Sequence, residues 1–274
     1  MTGAAPPDPP PVLLAGLARV ELHDPVFISD LHLNAGAPAT LARFLRFCEE
    51  DAAAHTELVI LGDLFEYWIG DDTLDDEADA VSRTVAAALR SLGERGVRVY
   101  VMHGNRDLLL GAGFLRATGA QLLADPAVAV IGGREVLLAH GDAWCTQDVE
   151  YMRFRASVRQ EATQRQFLAS PRAARLAFMG AARAQSESGK RAKAMEIMDV
   201  TPAVIDDALR AKRLQQLIHG HTHRPAVHEW SLDGKPAQRC VLPDWDLDAD
   251  DPGQRRGGYL AAGESPWRVV ALAD

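Results

Sequence analysis

Five short apolar runs recur along the chain, and each predicts a strand that is buried on both faces. Between the first three runs, apolar residues recur at helical spacing over residues 34–54 and 75–95, so a helix is expected to follow each of the first two strands. This alternation predicts a βαβαβ start with parallel strands. The five predicted strands cover residues 26–29, 58–62, 97–102, 136–139 and 214–218.

Beyond residue 121 the pattern changes to shorter strands separated by tight turns. Gly132-Gly133 and Asp233-Gly234 each lie between two apolar runs. Such pairs are typical of two-residue hairpin turns, so both segments are predicted to be β-hairpins. We therefore expect an α/β sandwich of two mixed sheets with helices outside. The strands expected in this half are 128–131, 135–139, 227–232, 237–242, 258–262 and 267–271.

The strand pattern stops between residues 147 and 213, where helix signals replace it. Ser170-Pro171 and Thr201-Pro202 are typical helix starts, and the spacing of Tyr151, Phe154, Val158 and Ala162 predicts an apolar helical stripe. This segment is interpreted as an inserted helical lid. The predicted division is a disordered, proline-rich tail of residues 1–20, a core of 21–146 and 214–274, and a lid of 147–213.

Composition is compatible with one large soluble unit, since 274 residues with 47% hydrophobic content are enough to bury a sizeable core. No apolar stretch approaches the ~20 residues of a membrane span, and the start of the chain lacks the features of a signal peptide. The three cysteines, Cys48, Cys145 and Cys240, match no zinc spacing. We expect them to be free thiols in a reducing compartment.

Charge is distributed unevenly. Residues 151–195 carry ten lysines and arginines against Glu161 and Glu187, a net charge of +8 in a chain whose net charge is −9. A solvated basic helix pair is the ordinary explanation. We favour a lid that meets phosphates or an anionic membrane surface, and we expect no nucleic-acid partner.

Polar residues able to bind metal follow all five predicted strands. Oxygen and imidazole donors together suit Mn, Fe or Zn, and seven donors suffice for two ions if one carboxylate is shared. Asp63 follows the central strand and is the expected bridge. His103 and His219 are assigned to the core, since a lone histidine after a strand is more often structural. The candidate ligands are Asp30, His32, Asp63, Asn105, His140, His221 and His223.

The order of these motifs resembles the calcineurin-like metallophosphoesterase superfamily: Asp30-x-His32, Gly62-Asp63, Gly104-Asn105-Arg106-Asp107, His140 and Gly220-His221-x-His223. Most of that superfamily has a histidine where this chain has Arg106. A guanidinium stays charged and cannot protonate an alkoxide leaving group, although it can bind phosphoryl oxygens. A phosphate monoester leaves as a stable anion, so this substitution favours cleavage of a pyrophosphate bond.

Within the superfamily, the arginine variant resembles the UDP-2,3-diacylglucosamine diphosphatases of lipid A biosynthesis. The resemblance includes residues 27–33, 60–72, 145–148, 197–200 and 218–225. It implies an Mn²⁺-dependent bacterial enzyme with two divalent ions at the cytoplasmic face of the inner membrane. Its substrate would be a UDP-linked diacylated glucosamine lipid, cut by water attack on the α-phosphorus to give UMP and 2,3-diacylglucosamine 1-phosphate (lipid X).

The same resemblance implies the substrate contacts. Catalytic roles fall to Asn105 and Arg106. Asp148 is expected to accept hydrogen bonds from a sugar or base, although a helix cap is the simpler explanation, and Lys190 stands where relatives are expected to have asparagine. Phe154, Leu176, Phe178 and Met179 are candidates for an acyl groove. The full set of expected substrate contacts is Asn105, Arg106, Asp148, Ser186, Lys190, Lys193 and His221.

Two other functions remain open from the sequence. One is a different dimetal phosphodiesterase or pyrophosphatase, such as a dinucleoside polyphosphate or cyclic nucleotide hydrolase. The other is a non-catalytic scaffold on the same fold. Arg106 and the basic insertion count against the first, and the complete set of seven ligands counts against the second. Acyl-chain length and oligomeric state are not encoded in any pattern we recognise.

Overall fold

The computed structural model describes residues 8–181, 199–263 and 267–272. Its parallel half is the predicted βαβαβ unit. Strands β2 (Pro25–Ile28), β3 (Glu57–Ile60) and β4 (Arg98–Met102) pair in parallel. Helices α1 (Pro38–Arg46) and α2 (Ala80–Glu94) connect them.

Both connecting helices begin later than predicted, for reasons that lie in their first residues. Pro38 occupies the first turn of α1, where its missing N–H is not needed. The Asp79 side chain accepts a hydrogen bond from Ser82 N and so caps α2. Beyond α1, the chain continues as a π-helical turn (Phe47–Asp51) and a 3₁₀ turn (Ala52–Ala54), so the helical segment ends at residue 54 as expected.

The second half is built on strand β5 (Gln121–Ile131), which follows helix α3 (Ala112–Thr118). Strand β5 pairs with β6 (Arg134–Ala139) in the first predicted hairpin, and β8 (Ala226–Leu232) pairs with β9 (Lys235–Val241) in the second. Both turns have positive φ angles at their two central residues, as two-residue hairpin turns require. Strand β7 (Gln216–His219) lies between β6 and β9 and runs parallel to both.

Hydrogen bonding joins these halves into one curled mixed sheet of eleven strands rather than two separate sheets. The 11-residue β5 is the joint, because its first residues pair with β4 in parallel and its last residues pair with β6. Strands β10 (Gly258–Ala261) and β11 (Arg268–Ala271) complete the edge beside β2. The α/β architecture is confirmed, and the two predicted layers are continuous through one long strand.

The predicted disordered tail is too long. Residues 17–22 form strand β1 (Leu17–Leu22), which pairs in parallel with β5, and Pro11–Leu13 form a 3₁₀ turn. The Val12 N–H donates to Gln164 at 2.8 Å. Ordered structure therefore begins before residue 21, and residues 1–7 lie outside the described part of the chain.

Helices occupy most of the described part of residues 147–213: α4 (Val149–Val158), α5 (Glu161–Leu168), α6 over residues 172–181, and α7 (Pro202–Lys212). The predicted apolar stripe is wrong, because the helix ends at Val158 and Phe154 is 48% exposed. Among the described residues, no helix is both long and apolar enough to span a bilayer. That this segment acts as a lid stays a prediction.

The basic side chains of the insertion also differ from expectation. Six of the ten are described, and five of these six form ion pairs, four of them with carboxylates of the core. Much of the positive charge expected to meet an anionic partner is therefore neutralised within the protein. The pairs are Arg155 and Arg159 with Asp142, Arg165 with Glu161, Arg172 with Asp76, and Arg175 with Asp72.

Candidate metal centre

The seven predicted ligands meet at the carboxyl ends of the central strands. Their donor atoms include two groups of three that each lie within 4.8 Å of one another: Asp30, His32 and His223, and Asp63, His140 and His221. Asn105 belongs to the second group, since its Oδ1 lies 3.0 Å from His140 Nε2. Residues spread over almost two hundred positions of sequence thus converge on one place.

Asp63 lies between the two groups. Its Oδ2 is 4.0 Å from His32 Nε2 in the first group and 3.7 Å from His140 Nε2 in the second. Its other oxygen, Oδ1, accepts the backbone N–H of Arg106 at 2.8 Å, which fixes the plane of the carboxylate. Asp63 therefore lies within 4.0 Å of a histidine from each group, and its role as a bridging ligand stays a prediction.

The loops that carry the donors have an unusual backbone. Left-handed φ angles are rare for residues other than glycine and persist only where the surrounding structure enforces them. Gly104 and Gly220 allow the loops to approach, since a Cβ at the first would collide with Asp63 and one at the second with Ser29 and Asp30. The donor residues with left-handed φ are Asp30, His32, Asp63, His221 and His223.

Three imidazoles present Nε2 to the centre. The Nδ1 atom of each ring contacts a carboxylate or a backbone carbonyl. His32 Nδ1 lies 3.4 Å from Glu66 and His223 Nδ1 lies 3.3 Å from Asp244, while His140 Nδ1 donates to the carbonyl of Leu61 at 2.9 Å. Such contacts fix the tautomer and orientation of a metal-binding histidine. Glu66 and Asp244 were not singled out in the sequence, because nothing in the pattern around either residue indicates its spatial partner.

Burial and charge determine how the second group titrates. Burial raises the pKa of Asp63 to about 7. Burial disfavours the charged form of His140, but the nearby carboxylates of Asp63 and Asp30 outweigh it and raise the His140 pKa to about 9. Burial lowers the pKa of His221 to about 3. Carboxylates and imidazoles are therefore packed so closely that each shifts the pKa of its neighbours.

The donor set fits divalent cations. Asp30 is fully buried, and its Oδ1 makes no hydrogen bond within residues 8–181, 199–263 and 267–272, which leaves a carboxylate oxygen facing the first group. Its Oδ2 is fixed by Ser29 Oγ at 2.7 Å and His221 N at 2.8 Å. Carboxylate, amide and imidazole donors suit Mn, Fe or Zn. Two clusters able to hold divalent metal ions are thus present, each with donors already oriented.

Arg106 lies beside this centre. Its guanidinium contacts Glu66 Oε1 at 3.2 Å, and the other oxygen of Glu66 faces His32. The following residue, Asp107, is fully buried and accepts the backbone N–H groups of Gly104 at 2.9 Å and Leu64 at 2.8 Å. The side chain of Asp107 thereby joins the loop that carries Asn105 and Arg106 to the loop that carries Asp63.

Of the four predicted substrate contacts Asp148, Ser186, Lys190 and Lys193, only Asp148 lies in the described part of the chain. Asp148 Oδ1 accepts the Tyr151 N–H at 3.0 Å and caps α4, which is the simpler of its two expected roles. Ser186, Lys190 and Lys193 lie outside the described residues.

His103 and His219 are held by backbone carbonyls, at Leu110 and Gly220, in agreement with structural roles. Cys48, Cys145 and Cys240 are free and buried, as expected.

Comparison with known proteins identifies the family. The calcineurin-like phosphoesterase family model matches residues 25–225. A UDP-2,3-diacylglucosamine hydrolase of Chromohalobacter salexigens is 51% identical over 220 residues, which cover 80% of this chain and 88% of that protein. Hydrolases of the same name from Ralstonia nicotianae and Pseudomonas aeruginosa are 48% and 44% identical, over 88% and 85% of this chain and 90% and 98% of those proteins. The chain belongs to the calcineurin-like phosphoesterase family and, within it, to the UDP-2,3-diacylglucosamine hydrolases.

Proposed function

We propose that this protein hydrolyses the pyrophosphate bond of UDP-2,3-diacylglucosamine, a step in lipid A biosynthesis. Water attacks the α-phosphorus, the bond to the bridging oxygen breaks, and the products are UMP and 2,3-diacylglucosamine 1-phosphate. The observation that carries this proposal is the arrangement of two donor groups around Asp63 with the Arg106 guanidinium beside them. The names of the curated relatives support the choice of substrate.

The proposed cofactor is a pair of divalent ions, with Mn²⁺ as the expected metal. When bound, two such ions would polarise the phosphoryl oxygens as Lewis acids and lower the pKa of the attacking water. Asp63 is assigned to both ions. Asp30, His32 and His223 are assigned to one, and Asn105, His140 and His221 to the other.

Arg106 is assigned to transition-state stabilisation. A guanidinium presents a planar set of N–H donors that matches phosphoryl oxygens, and it keeps its charge at every accessible pH. Its contact with Glu66 holds it beside His32 without burying it completely, since 19% of the side chain is exposed. The leaving phosphate needs no proton donor because its second pKa is about 6.

The rest of the substrate is assigned to the insertion and the surface beside it. Asp148, Ser186, Lys190 and Lys193 are the proposed contacts to the UDP-sugar portion, together with Asn105, Arg106 and His221. Phe154 and Phe178 are 48% and 54% exposed and offer apolar surface for acyl chains. We infer a peripheral location on the cytoplasmic face of the bacterial inner membrane, where an acylated substrate resides.

The decisive experiment is incubation of the purified protein with UDP-2,3-diacylglucosamine and Mn²⁺, followed by separation of the products. UMP and the 1-phosphate are the expected products, and chelation of the metal should abolish their formation. Water enriched in ¹⁸O should label UMP, because attack is expected at the α-phosphorus. Label in the sugar phosphate, or faster hydrolysis of p-nitrophenyl phosphate than of the UDP-lipid, would contradict the proposal.

A further inference from the structure

Helix α4 is attached to the metal centre through one buried carboxylate. Tyr151 and Arg155 are spaced four residues apart and share one face of α4, and Arg159 is the C-cap residue that follows at the same spacing. The Tyr151 hydroxyl and Arg155 Nε lie 2.7 and 2.8 Å from Asp142 Oδ2, and an Arg159 guanidinium nitrogen lies 3.4 Å from the same oxygen. Three donors of one helix face thus converge on a single atom.

Asp142 links helix α4 to the loop that carries His140. It follows His140 by two residues, its side chain is fully buried, and its second oxygen has no hydrogen-bond partner in the described part of the chain. Arg155 also lies 3.7 Å from Asp125, whose other oxygen accepts the His140 N–H at 3.2 Å. The two arginines therefore compensate the charge of two buried carboxylates, as does His140.

The same helix face touches two further loops of the second donor group. The Tyr151 ring lies over the His221 ring, with centroids 5.9 Å apart and planes 30° apart. An Arg159 nitrogen contacts the carbonyl of Gly104, the residue before Asn105, at 3.5 Å. One helix therefore contacts the loops that carry Asn105, His140 and His221.

Apolar packing does not explain how α4 is held. All ten of its residues are described, and none of them is buried. Val149 and Phe154 are 54% and 48% exposed. Polar contacts to Asp142 therefore attach this helix to the core without the help of a buried apolar face.

We propose that Asp142 is a positioning residue that fixes α4 beside the second donor group, so that Tyr151 and Asp148 meet the substrate in a set orientation. This inference rests on the proposed function for the identity of the substrate. It assigns Arg155 and Arg159 to the attachment of the helix rather than to phosphate binding. Loss of the attachment should weaken binding of the UDP-lipid and leave the chemistry at the donor groups intact.

The test uses the double variant Arg155→Gln/Arg159→Gln. Both side chains are partly exposed, and glutamine keeps a polar side chain at each position. Arg165→Gln is the matched control, since among the described residues Arg165 forms an ion pair with Glu161 alone, on the surface of α5. Hydrolysis of UDP-2,3-diacylglucosamine and of bis(p-nitrophenyl) phosphate, bound Mn²⁺ per chain, and hydrogen exchange of residues 149–158 are measured for each protein.

In the double variant we expect KM for the UDP-lipid to rise about tenfold or more while kcat stays within about threefold, since the loss is one of positioning. Hydrolysis of the small diester and Mn²⁺ content should match the wild type, and amide protection of residues 149–158 should fall. Arg165→Gln should resemble the wild type in every measurement. Equal losses on both substrates, loss of Mn²⁺, or unchanged protection of α4 would overturn the inference.

Asp142→Asn provides a second, independent measurement. If the carboxylate and the two guanidiniums act as one unit, the effects of Asp142→Asn and of the double variant on KM should not add when they are combined. Fully additive effects would overturn the inference. If the wild type hydrolysed the small diester but not the UDP-lipid, the proposed function would fail, and the exchange data would still decide whether Asp142 holds α4.

Discussion

The strand-end loops and the inserted helices border the same centre but are held in place by different forces. The loops follow buried strands, and backbone hydrogen bonds connect them, as from Leu31 N to the carbonyl of Asp63 at 2.9 Å and from Gly220 N to that of His140 at 2.9 Å. Helices α4 and α5 bury only one residue between them, Gln164, and ion pairs attach the insertion to the core.

This difference assigns separate tasks to the two regions. The donors of a centre built on core strands are aligned by burial and backbone pairing. Their alignment should not depend on the position of the inserted helices. Helices attached by a few polar contacts depend on those contacts for their position, because Asp142 and Arg175 are buried and breaking a buried ion pair is costly. Changes in the loops should therefore remove the chemistry, and changes in the helices should alter substrate binding.

The largest effect is expected from Asp63→Ala. Because Asp63 lies between both donor groups, its removal should lower kcat by roughly 10³-fold or more and reduce bound Mn²⁺, as measured by elemental analysis. Asp207→Ala removes an exposed carboxylate from α7 and serves as the control. Unchanged hydrolysis together with unchanged Mn²⁺ would refute the assignment of Asp63.

Arg106→Ala should have the next largest effect. Loss of the guanidinium removes charge stabilisation beside the reacting phosphate, so kcat for the UDP-lipid should fall by about 10²–10³-fold. Bound Mn²⁺ should stay the same, because the Arg106 guanidinium is not one of the assigned metal ligands. Arg116→Ala, at an exposed arginine that pairs with Asp8, should have no effect on turnover. Arg106→His with full pyrophosphatase activity would contradict our interpretation of this position.

A smaller effect is expected from Glu66→Gln. Glu66 uses one oxygen toward His32 and the other toward Arg106. An amide has one acceptor oxygen, so its NH₂ group must face one of two donors. Affinity for Mn²⁺ or kcat should fall by about 10–100-fold, as titration of the metal and steady-state kinetics would measure. Glu161→Gln, at a surface ion pair of α5, is the control, and equal behaviour of the two variants would contradict the prediction.

The smallest effect on catalysis is expected from Arg175→Ala in α6. This side chain is 4% exposed and donates to the carbonyl of Ile69 and to Asp72. Its loss should lower the free energy of unfolding by about 2 kcal/mol, as measured by denaturant titration, and reduce amide protection of residues 172–181. Bound Mn²⁺ should not change. Arg165→Ala should be nearly neutral, and a loss of metal in Arg175→Ala would remove the distinction between the two regions.

The strand-end loops were also the part of the molecule that the sequence predicted best. A buried strand is a continuous apolar run, and a donor directly after it lies at the carboxyl end of the sheet. Asp30, Asp63 and His140 could therefore be placed together from the combination of motifs, although each motif alone was weak. The continuity of the two predicted sheets was not recognisable. It depends on the pairing of the two ends of β5 with different neighbours, and pairing partners leave no local mark in a sequence.

Side chains that support the centre were missed for a related reason. Glu66 and Asp244 matter because they face His32 and His223 in the structure. Each carboxylate is distant from its histidine in the sequence. The basic residues of the insertion were recognised as unusual, but most of the carboxylates that neutralise them lie in the core, up to 103 residues away. Charge composition identifies an uncommon segment without identifying its partner.

The left-handed backbone of five donor residues bears on any attempt to transplant this centre. Each such residue costs roughly 1–3 kcal/mol, and the surrounding fold bears that cost. The backbone holds the donors in place, so binding of ions should require little rearrangement. Grafting the seven side chains onto relaxed turns of another protein would aim them elsewhere, so an engineer would have to copy the loops themselves.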